Sequence, residues 1–547
     1  MKYPTLARKG FVIPTSTSPR SKGVHISAFN GGYEGASTGR RLGTWTTFAS
    51  GPNLSDAATL SAIRARARDA IRNNPWAAQA LNSFASNLVG RGIVPRWKIE
   101  DEELRQKIHS LWEEWVQESD ADGLLDFYGQ QTLVTKTVIH SGEAVIRFRP
   151  RRLSDGLSVP LQLQVLEPDF LDEYKDGPAP SGNTYHQGIE FNSIGQRVRY
   201  WLRKQHPGDS FFMSGQLESV PVPASQVLHV YRVDRPGQLR GVSWFAPVLA
   251  RLFLLDQYED AELDRKKTAA LFGVFITKNS DLAGPGGLIG FDTDTNEDAN
   301  GRAFADLEPG MMNYLLPGED VKFSTPADVG GSYEVWLTRQ LQAIAAGIGV
   351  TYEQLTGDFS KVNFSSSRGR MVEFRRVCRQ IIGSMINFQF NQKVAQVWLA
   401  TAVASGALKI PDFATNRRQY LKIDWRMDGW EWVNPREDVL TAKEEVRAGF
   451  RTREDVVTER GGDIDVIDRR NKELNDRVDE YGLVYDSDPR KTSNAGLTQG
   501  RPLGTSNVDP GKFQDADDFQ PLDKLRENGF SPDDSGDDSE EDEESAA

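Results

Sequence analysis

The sequence predicts an α+β chain. Strand-type patterns are gathered between residues 93 and 246, while long helical patterns lie on either side of that block instead of alternating with strands. The 547 residues also exceed what one hydrophobic core serves, since single cores stop growing at roughly 250–300 residues. Charge is divided along the chain. The segment 531–547 holds nine acids and no base, and removing those nine from the net charge of -13 leaves -4 for the rest. Residues 1–45 run the other way, with Lys2, Arg8, Lys9, Arg20, Lys22, Arg40 and Arg41 against Glu34. A basic arm and an acidic tail thus flank a near-neutral body, and the overall charge does not define a partner.

The elements follow in order. Residues 1–50 are rich in Gly, Ser and Thr and read as an extended arm. In 53–92, Ser55 or Asp56 is placed to cap a helix with Leu60, Ile63, Ala67 and Ile71 as its apolar stripe. Asn74-Pro75 breaks it, and Pro75 suits the first turn of a second helix ended by Gly90 and Gly92. Within 93–246 one helix is expected at 100–119, and strands at 137–150, 161–173, 188–204 and 222–241, with "NSIGQ" as a hairpin turn. From Val248 to Phe272 there is no Gly or Pro, which predicts a helix roughly 40 Å long at 1.5 Å per residue. Its first half is apolar and its second densely charged, a pattern suited to packing between subunits or to lining an aqueous space. Residues 276–330 are rich in Gly, Pro and Asp. Helices are expected again at 332–350 and, for nearly forty residues, at 366–406. After a strand with a turn at 420–433, three short helices run to 483, the second opened by a capping-box pattern at Thr452 and Asp455. Beyond Asp488 the composition predicts disorder.

The single cysteine, Cys378, excludes an intrachain disulfide and fits a reducing compartment. No run approaches the ~18 apolar residues of a membrane span, and the N-terminus lacks an apolar core of signal-peptide length, so assembly in the cytoplasm is expected.

Catalytic patterns fail one after another. The stretch "GVTYEQLTGDFSKVNFSSSR" (349–368) could be a phosphate cradle, a nucleophile loop or a strap touching something that passes. It has Gly349, Gly357 and Lys361 without the spacing of a P-loop, and no Gly-Lys-Ser/Thr occurs in the chain. There is no GxSxG, no HExxH and no Cys/His cluster; His25, His109, His140, His186, His206 and His229 are scattered and read as structural. "DTDTNEDANG" (292–301) offers Asp292, Asp294 and Asn296 to calcium, but Glu297 stands where the turn glycine is needed and Ala303 where the bidentate glutamate is needed, so it reads as a solvated acidic loop. No metal and no cofactor is expected.

Several stretches together carry a resemblance. "RARARDAIRNNPWAAQALNSFASNLVGRGI", "LQLQVLEPDFLDE", "VLHVYRVDRPGQLRGVSWFAPVL", "DQYEDAELDRKKTAALFGVFI", "LEPGMMNYLLPGEDVKFSTPADVGGSYE" and "GVTYEQLTGDFS", in this order over roughly 30–490, resemble the lambda-type portal proteins of tailed bacteriophages. The resemblance implies a portal fold with a mixed α/β wing, a two-helix stem, a small α/β clip and a helical crown, assembled as a ring typically of twelve subunits at one capsid vertex. Mapped by order, it implies a basic arm at 1–45, wing at 46–246 and 367–429, stem helices at 247–273 and 331–350, clip at 274–330, channel loop at 351–366, crown at 430–490 and an acidic tail at 491–547. Double-stranded DNA would pass through the ring, packaged by the terminase motor and later ejected. The terminase large subunit, head-completion and connector proteins, the major capsid protein and scaffold are the implied partners, in a virion assembled in the host bacterial cytoplasm.

Two sets of residues follow as channel candidates. Lys361, Asn363, Ser365, Ser366 and Arg368 belong to the loop, where short polar side chains can brush DNA without holding it. Asp256, Glu259, Asp260, Glu262 and Asp264 are expected to form a repelling wall, because strong cationic contacts would pin the phosphates by counterion release. Arg265, Lys266 and Lys267 are expected either to line that face or to pair with a neighbour's carboxylates. The run Arg64–Arg68 is expected at a subunit contact or on a solvated face. The competing readings are a metal-dependent nuclease of packaged DNA, with the acids as ligands, and a scaffolding protein of capsid assembly without a channel.

Overall fold

A computed structural model describes residues 44, 47, 49–209, 218–270, 274–278, 296–297, 303–304, 319–323, 332–360, 363–430, 434–485, 488 and 490. All of the basic arm but residue 44, nearly all of the 274–330 segment, the calcium-like loop apart from Asn296–Glu297, and the acidic tail lie outside the described residues. The chain divides into two units, Met1–Gly462 and Asp463–Ala547.

The first unit opens with α1 (Pro52–Ala57), α2 (Leu60–Asn73) and α3 (Pro75–Leu88). Ser55 and Asp56 do not cap α2; they fall inside α1, and α2 starts afresh after Thr59. Asn74 does what an N-cap does: its side chain accepts from the backbone N–H groups of Trp76 and Ala77, with Pro75 in the first turn of α3. β1 (Val94–Trp97) and α4 (Glu102–Glu118) follow, α4 capped by Asp101 through the Leu104 N–H.

The expected strand at 137–150 is corrected by the fold. Phe127–Ser141 is a helix, α5, and only Glu143–Pro150 is a strand, β2. Helix α5 is buried on nearly every side, through Phe127, Gln130, Gln131, Val134, Thr135, Val138 and Ile139. A helix wetted only along the narrow line of Leu133 and its partly buried neighbours has little amphipathic period, and its Thr/Val/Ile run therefore imitates a strand. Gly142 ends it at φ +90, and a side chain there would lie 2.5 Å from the backbone of Val242.

β2 sits centrally between β3 (Leu161–Leu166) and β9 (Val227–Tyr231), both antiparallel to it. A second antiparallel sheet runs in order through β4 (Gly177–Pro178), β5 (Thr184–His186), β6 (Ile189–Phe191), β7 (Arg197–Arg203) and β8 (Ser219–Pro223). The β6–β7 hairpin turns at Asn192–Gln196, where the Asn192 side chain accepts from the N–H groups of Ile194 and Gln196. The stretch 222–241, expected as one strand, is split by a 3₁₀ turn at Ala224–Gln226, so β8 and β9 enter different sheets.

Helix α6 (Leu249–Ala270) comes next, then the paired strands β10 (Val274–Lys278) and β13 (Glu319–Phe323) and the short pair β11 (Asn296–Glu297) and β12 (Ala303–Phe304). Helix α7 (Ser332–Ile348) leads to α8 (Tyr352–Thr356) and then to a long helix. That helix runs as α9 (Phe364–Ile381), a π-helical segment at Ile382–Asn391, and α10 (Gln392–Ser405). The expected strand at 420–433 shrinks to β14 (Ile423–Arg426), which pairs with β1, because Phe413–Tyr420 is helical (α11). Helices α12 (Pro435–Arg447) and α13 (Arg453–Glu459) complete the first unit, α13 with the expected Thr452–Asp455 capping box.

The core is aromatic. Trp112 meets Trp398 edge-on at 4.9 Å between ring centroids, and Phe127 stacks on Phe390 at 5.7 Å. Such rings bury large areas and add directional contacts of about 0.5–1.5 kcal/mol each. Gln131 fastens the π segment to the rest: its amide bonds both the N–H and the C=O of Ile93 and donates to Asn391 Oδ1 at 3.0 Å. The α+β class holds. The second unit presents α14 (Ile464–Glu480), capped by Asp463. Among the described residues no helix is long and apolar enough to cross a membrane.

Candidate functional site

The stretch 349–368 resolves into a capped turn, a short link and the start of a long helix. Thr351 and Gln354 form a reciprocal capping box that opens α8, and Gly357 closes it at φ +72. Leu355 is fully buried and Glu353 is nearly so. The VTYEQLT segment is thus part of the packed body, and the link proper runs from Gly357 to Asn363. Asp358 accepts from the backbone N–H and hydroxyl of Ser360 at 2.9 and 2.6 Å, tightening the first half of the link.

Both ends of the link are tied down by ion pairs. The buried Glu353 carboxylate binds the Arg370 guanidinium, nearly two turns into α9. Arg368 binds Asp438 of α12 at 3.1 Å. Of the loop candidates, Arg368 is therefore an anchor as well as an exposed cation, and Asn363 is exposed just before α9. Lys361 and the side chains of Ser365 and Ser366 lie outside the described residues. Phe359, set among short polar residues and not among the expected loop residues, stands 63% exposed in this link. An aromatic between Asp358 and Ser360 was the available signal.

Helix α6 carries the second candidate set. Its first half buries Leu252 and Leu255 and leaves Phe253 and Leu254 exposed. Tyr258 packs on Trp336 of α7 at 4.4 Å between ring centroids, and Lys266 lies over Tyr333. Asp256, Asp260 and Asp264 are exposed, and Glu259 is half-buried. Burial, then the neighbouring Asp256, raises the Glu259 carboxyl above its ordinary range. One expectation is corrected here. Glu262 is buried, not part of an exposed wall, and it accepts two bonds from Arg265 at 2.6 and 2.8 Å. Arg265 and Lys267 have partners on their own helix, Lys267 through Asp264 at 3.2 Å, since carboxylates three residues earlier lie within reach on a helix face.

The arginine run is also corrected. Arg64 is buried, with one nitrogen 2.7 Å from Glu173 and another 3.7 Å from Glu143. Arg68 reaches Asp169 at 2.5 Å and Glu167 at 3.2 Å. Arg66 alone of the three is on the surface, lining a groove of about 530 Å³ between α2 and α6 with Asp69, Leu252 and Phe253.

Glu143, at the head of β2, is the centre of this network and was not anticipated. It is fully buried and accepts from Arg240, from His229 Nε2 at 2.8 Å and from the Gly241 N–H at 2.8 Å. Burial alone would raise its pKa; the Arg240 charge and the His229 bond outweigh that and hold it well below the carboxylate range. Burial pushes His229 down to about 4, so the imidazole is neutral. Gly241 can have no side chain, because a Cβ would lie 2.1 Å from the Gly142 carbonyl oxygen. The sequence did hold a signal: a lone glutamate inside "GEAVIRF" must either break the strand or be buried with partners.

Among the described residues, Glu167, Asp169 and His206 bring three potential metal ligands within 4.8 Å of one another. The Arg68 guanidinium already sits on both carboxylates, which makes the group an ion-pair cluster.

Comparison with known proteins places these features. The profile described as "Phage portal protein, lambda family" matches residues 38–381, from the arm through α6, α7 and the link into the long helix. The probable portal protein of Halomonas phage phiHAP-1 is 26% identical over 417 residues, covering 74% of this chain and 78% of that protein. Portal protein B of Escherichia phage lambda is 23% identical over 513 residues, covering 85% and 92%. Among solved structures, a chain in the neck of a native gene transfer agent particle is similar at TM-score 0.39 and 14% identity, covering 70% of this chain and 92% of that one. An HK97-family phage portal protein from Corynebacterium diphtheriae is similar at TM-score 0.26 and 10% identity, covering 59% and 86%.

Proposed function

The chain belongs to the lambda family of phage portal proteins, and from that membership we propose that its copies close into a ring at one capsid vertex, a channel through which double-stranded DNA is packaged and later ejected. The observation that carries this reading is the extent of the family match, 38–381, which takes in both of the helices and the link assigned to the channel. In this reading α6 and α7 form the stem, the segment between them the clip, 357–363 the channel loop, and the helices from α12 onward the crown. The role is structural: the ring is a conduit and a docking platform. Terminase large subunit, head-completion and connector proteins, the major capsid protein and scaffold are the partners it would engage.

The chemistry of the described surfaces supports a conduit. DNA moves freely only past a wall that does not neutralise its phosphates, since each cationic contact adds affinity by releasing counterions. On α6 the exposed carboxylates are Asp256, Asp260 and Asp264, while the cations of its last turns are engaged with Glu262, Asp264 and the Tyr333 ring.

Native mass measurement and electron-microscopy views down the particle axis test the proposal. A closed ring with a central hole is expected. A purified monomer that cuts DNA on addition of Mg²⁺ would overturn it in favour of a nuclease.

A further inference from the structure

Strand β2 changes character along one of its faces. The residues on that face are Glu143, Val145, Arg147, Arg149 and, just past the strand, Arg151. Val145 is sealed under the second sheet, in a cluster with Ile189, Tyr200 and Leu202. Beyond it the face emerges: Arg147 and Arg149 are partly buried and Arg151 is exposed. Alternate residues of a strand stand roughly 7 Å apart, so three cationic side chains follow one another in a row.

Strand β3 answers two of the three with neutral amides. Gln162 fixes its side-chain N–H groups on the carbonyls of Glu118 and Asp120, at 2.9 and 3.0 Å, and its Oε1 accepts from Arg151 Nε at 2.8 Å. Gln164 Oε1 accepts from Arg149 Nε and Nη2 at 2.9 and 2.5 Å. The register sets Arg149 opposite Gln162 and Arg147 opposite Gln164, so each glutamine serves the arginine diagonal to it. The next residue on that diagonal is Leu166, whose side chain has no acceptor. The Arg147 guanidinium accordingly has no hydrogen-bond partner among the described residues, and its Nε is buried. Buried donors left without an acceptor are costly and rare. Among the described residues none of the three arginines forms an ion pair. Burial, then the like charges of Arg147 and Arg151, lower the Arg149 guanidinium from its ordinary value, against the pull of Asp122.

The row fits oxyanions that arrive at the same spacing, since a guanidinium takes a carboxylate through paired N–H bonds. An extended peptide has that spacing in its alternate side chains. Strand β9 begins at Val227, opposite Arg147, so no described strand flanks β2 on that side further along. A stiff nucleic-acid duplex touches what stands proud of a surface, whereas Arg147 and Arg149 are recessed and within reach of a thin chain. We propose that the row Arg147–Arg149–Arg151 binds an extended acidic peptide of a partner protein, with carboxylates at alternate positions and one of them on Arg147. The row lies within one chain and does not depend on ring closure.

Fluorescence anisotropy on the full-length chain at low ionic strength tests it, with two labelled peptides of equal charge, Ser-Glu-Ser-Glu-Ser-Glu-Ser and Ser-Ser-Glu-Glu-Glu-Ser-Ser. The alternating peptide should bind about tenfold more tightly than its blocked isomer, the scale of one charge-assisted bond. Arg147→Gln and Arg151→Gln should each weaken it by about the same factor. Arg152→Gln removes an equal charge from an exposed neighbour outside the row and should leave binding within about twofold. Arg151 is exposed, so its variant keeps the test open if Arg147→Gln fails to fold. Equal binding of the two peptides, no binding of either, or an equal loss from Arg152→Gln would overturn the proposal. A duplex oligonucleotide that binds more tightly than the alternating peptide, and loses affinity in the same two variants, would assign the row to nucleic acid and overturn it as well.

Discussion

Glu143 and Arg240 form an ion pair sealed from solvent on both sides, with the guanidinium 2.6 Å from one carboxylate oxygen and Nε within 3.0 Å of the other. Around it are His229 from β9 and Arg64 from α2. The pair therefore joins a helix, two strands and the 240–241 backbone at one point.

Removing one member should be costly. Glu143→Gln leaves Arg240 buried without its counter-charge, and such losses run to about 3–5 kcal/mol. The urea midpoint should fall accordingly. The paired replacement Glu143→Leu with Arg240→Met should recover part of the loss, and failure to recover any would show that Arg64 and His229 depend on Glu143 as strongly as Arg240 does.

Acid should weaken the fold in two stages. His140 and His229 are both held at about 4, in each case mainly by burial, against an ordinary value of 6.5. Between these values the unfolded chain binds more protons than the folded one, so stability falls as pH drops from 6.5 to about 4, by at most about 1.4 kcal/mol per pH unit for each histidine. Glu143, held low in the fold, adds a further loss as pH falls below its ordinary 4.5. Unfolding midpoints at a series of pH values check this, and His140→Gln should flatten the first stage.

Gly142→Ala should destabilise by more than the usual glycine cost of about 0.5–1 kcal/mol. The position has φ +90 and the new Cβ would press on the backbone of Val242 and Gly241 at 2.5 and 2.6 Å. Thermal unfolding gives the measure; a change within experimental error would show that the 241–243 backbone can retreat.

The link should be separable from the body. Thr351→Ala, which removes the cap of α8, should cost about 1 kcal/mol, and Arg370→Met, which strands the buried Glu353 carboxylate, about 1–3 kcal/mol. Deleting 359–362 touches none of these anchors. It should leave assembly intact and reduce the amount of DNA protected in particles, measured by nuclease digestion and quantification. Unchanged DNA content would remove the link from the packaging role.

Much of the fold was legible because its signals are local. Asn74-Pro75, "NSIGQ" and Thr452–Asp455 each specify a cap or a turn through their own side chains, and each stands where it was expected. Helix α5 was not legible: a helix buried on nearly every side has the same apolar run as a strand, and only its contacts with Ile93 and the π segment distinguish them. The arginine run misled for a related reason. Surface and buried arginines look alike in a sequence, and the acids that neutralise Arg64 and Arg68 lie about a hundred positions away at Glu167, Asp169 and Glu173. For the link, its place between two helices could be read, but the packing of the preceding Thr351–Thr356 stretch into the body as a capped helix needed the coordinates.

Seven residues separate Thr356, the end of α8, from Phe364, the start of α9. At roughly 3.3–3.6 Å per extended residue, a tether of that length folded back on itself reaches about 12 Å from its two fixed points. With Glu353–Arg370 and Arg368–Asp438 clamping both roots, its excursion is bounded by its own contour rather than by the flexibility of the body. In the channel role proposed above, the link would act as a gauge of fixed throw: its tip would follow an object that passes within that radius and lose touch with anything narrower or further off-centre.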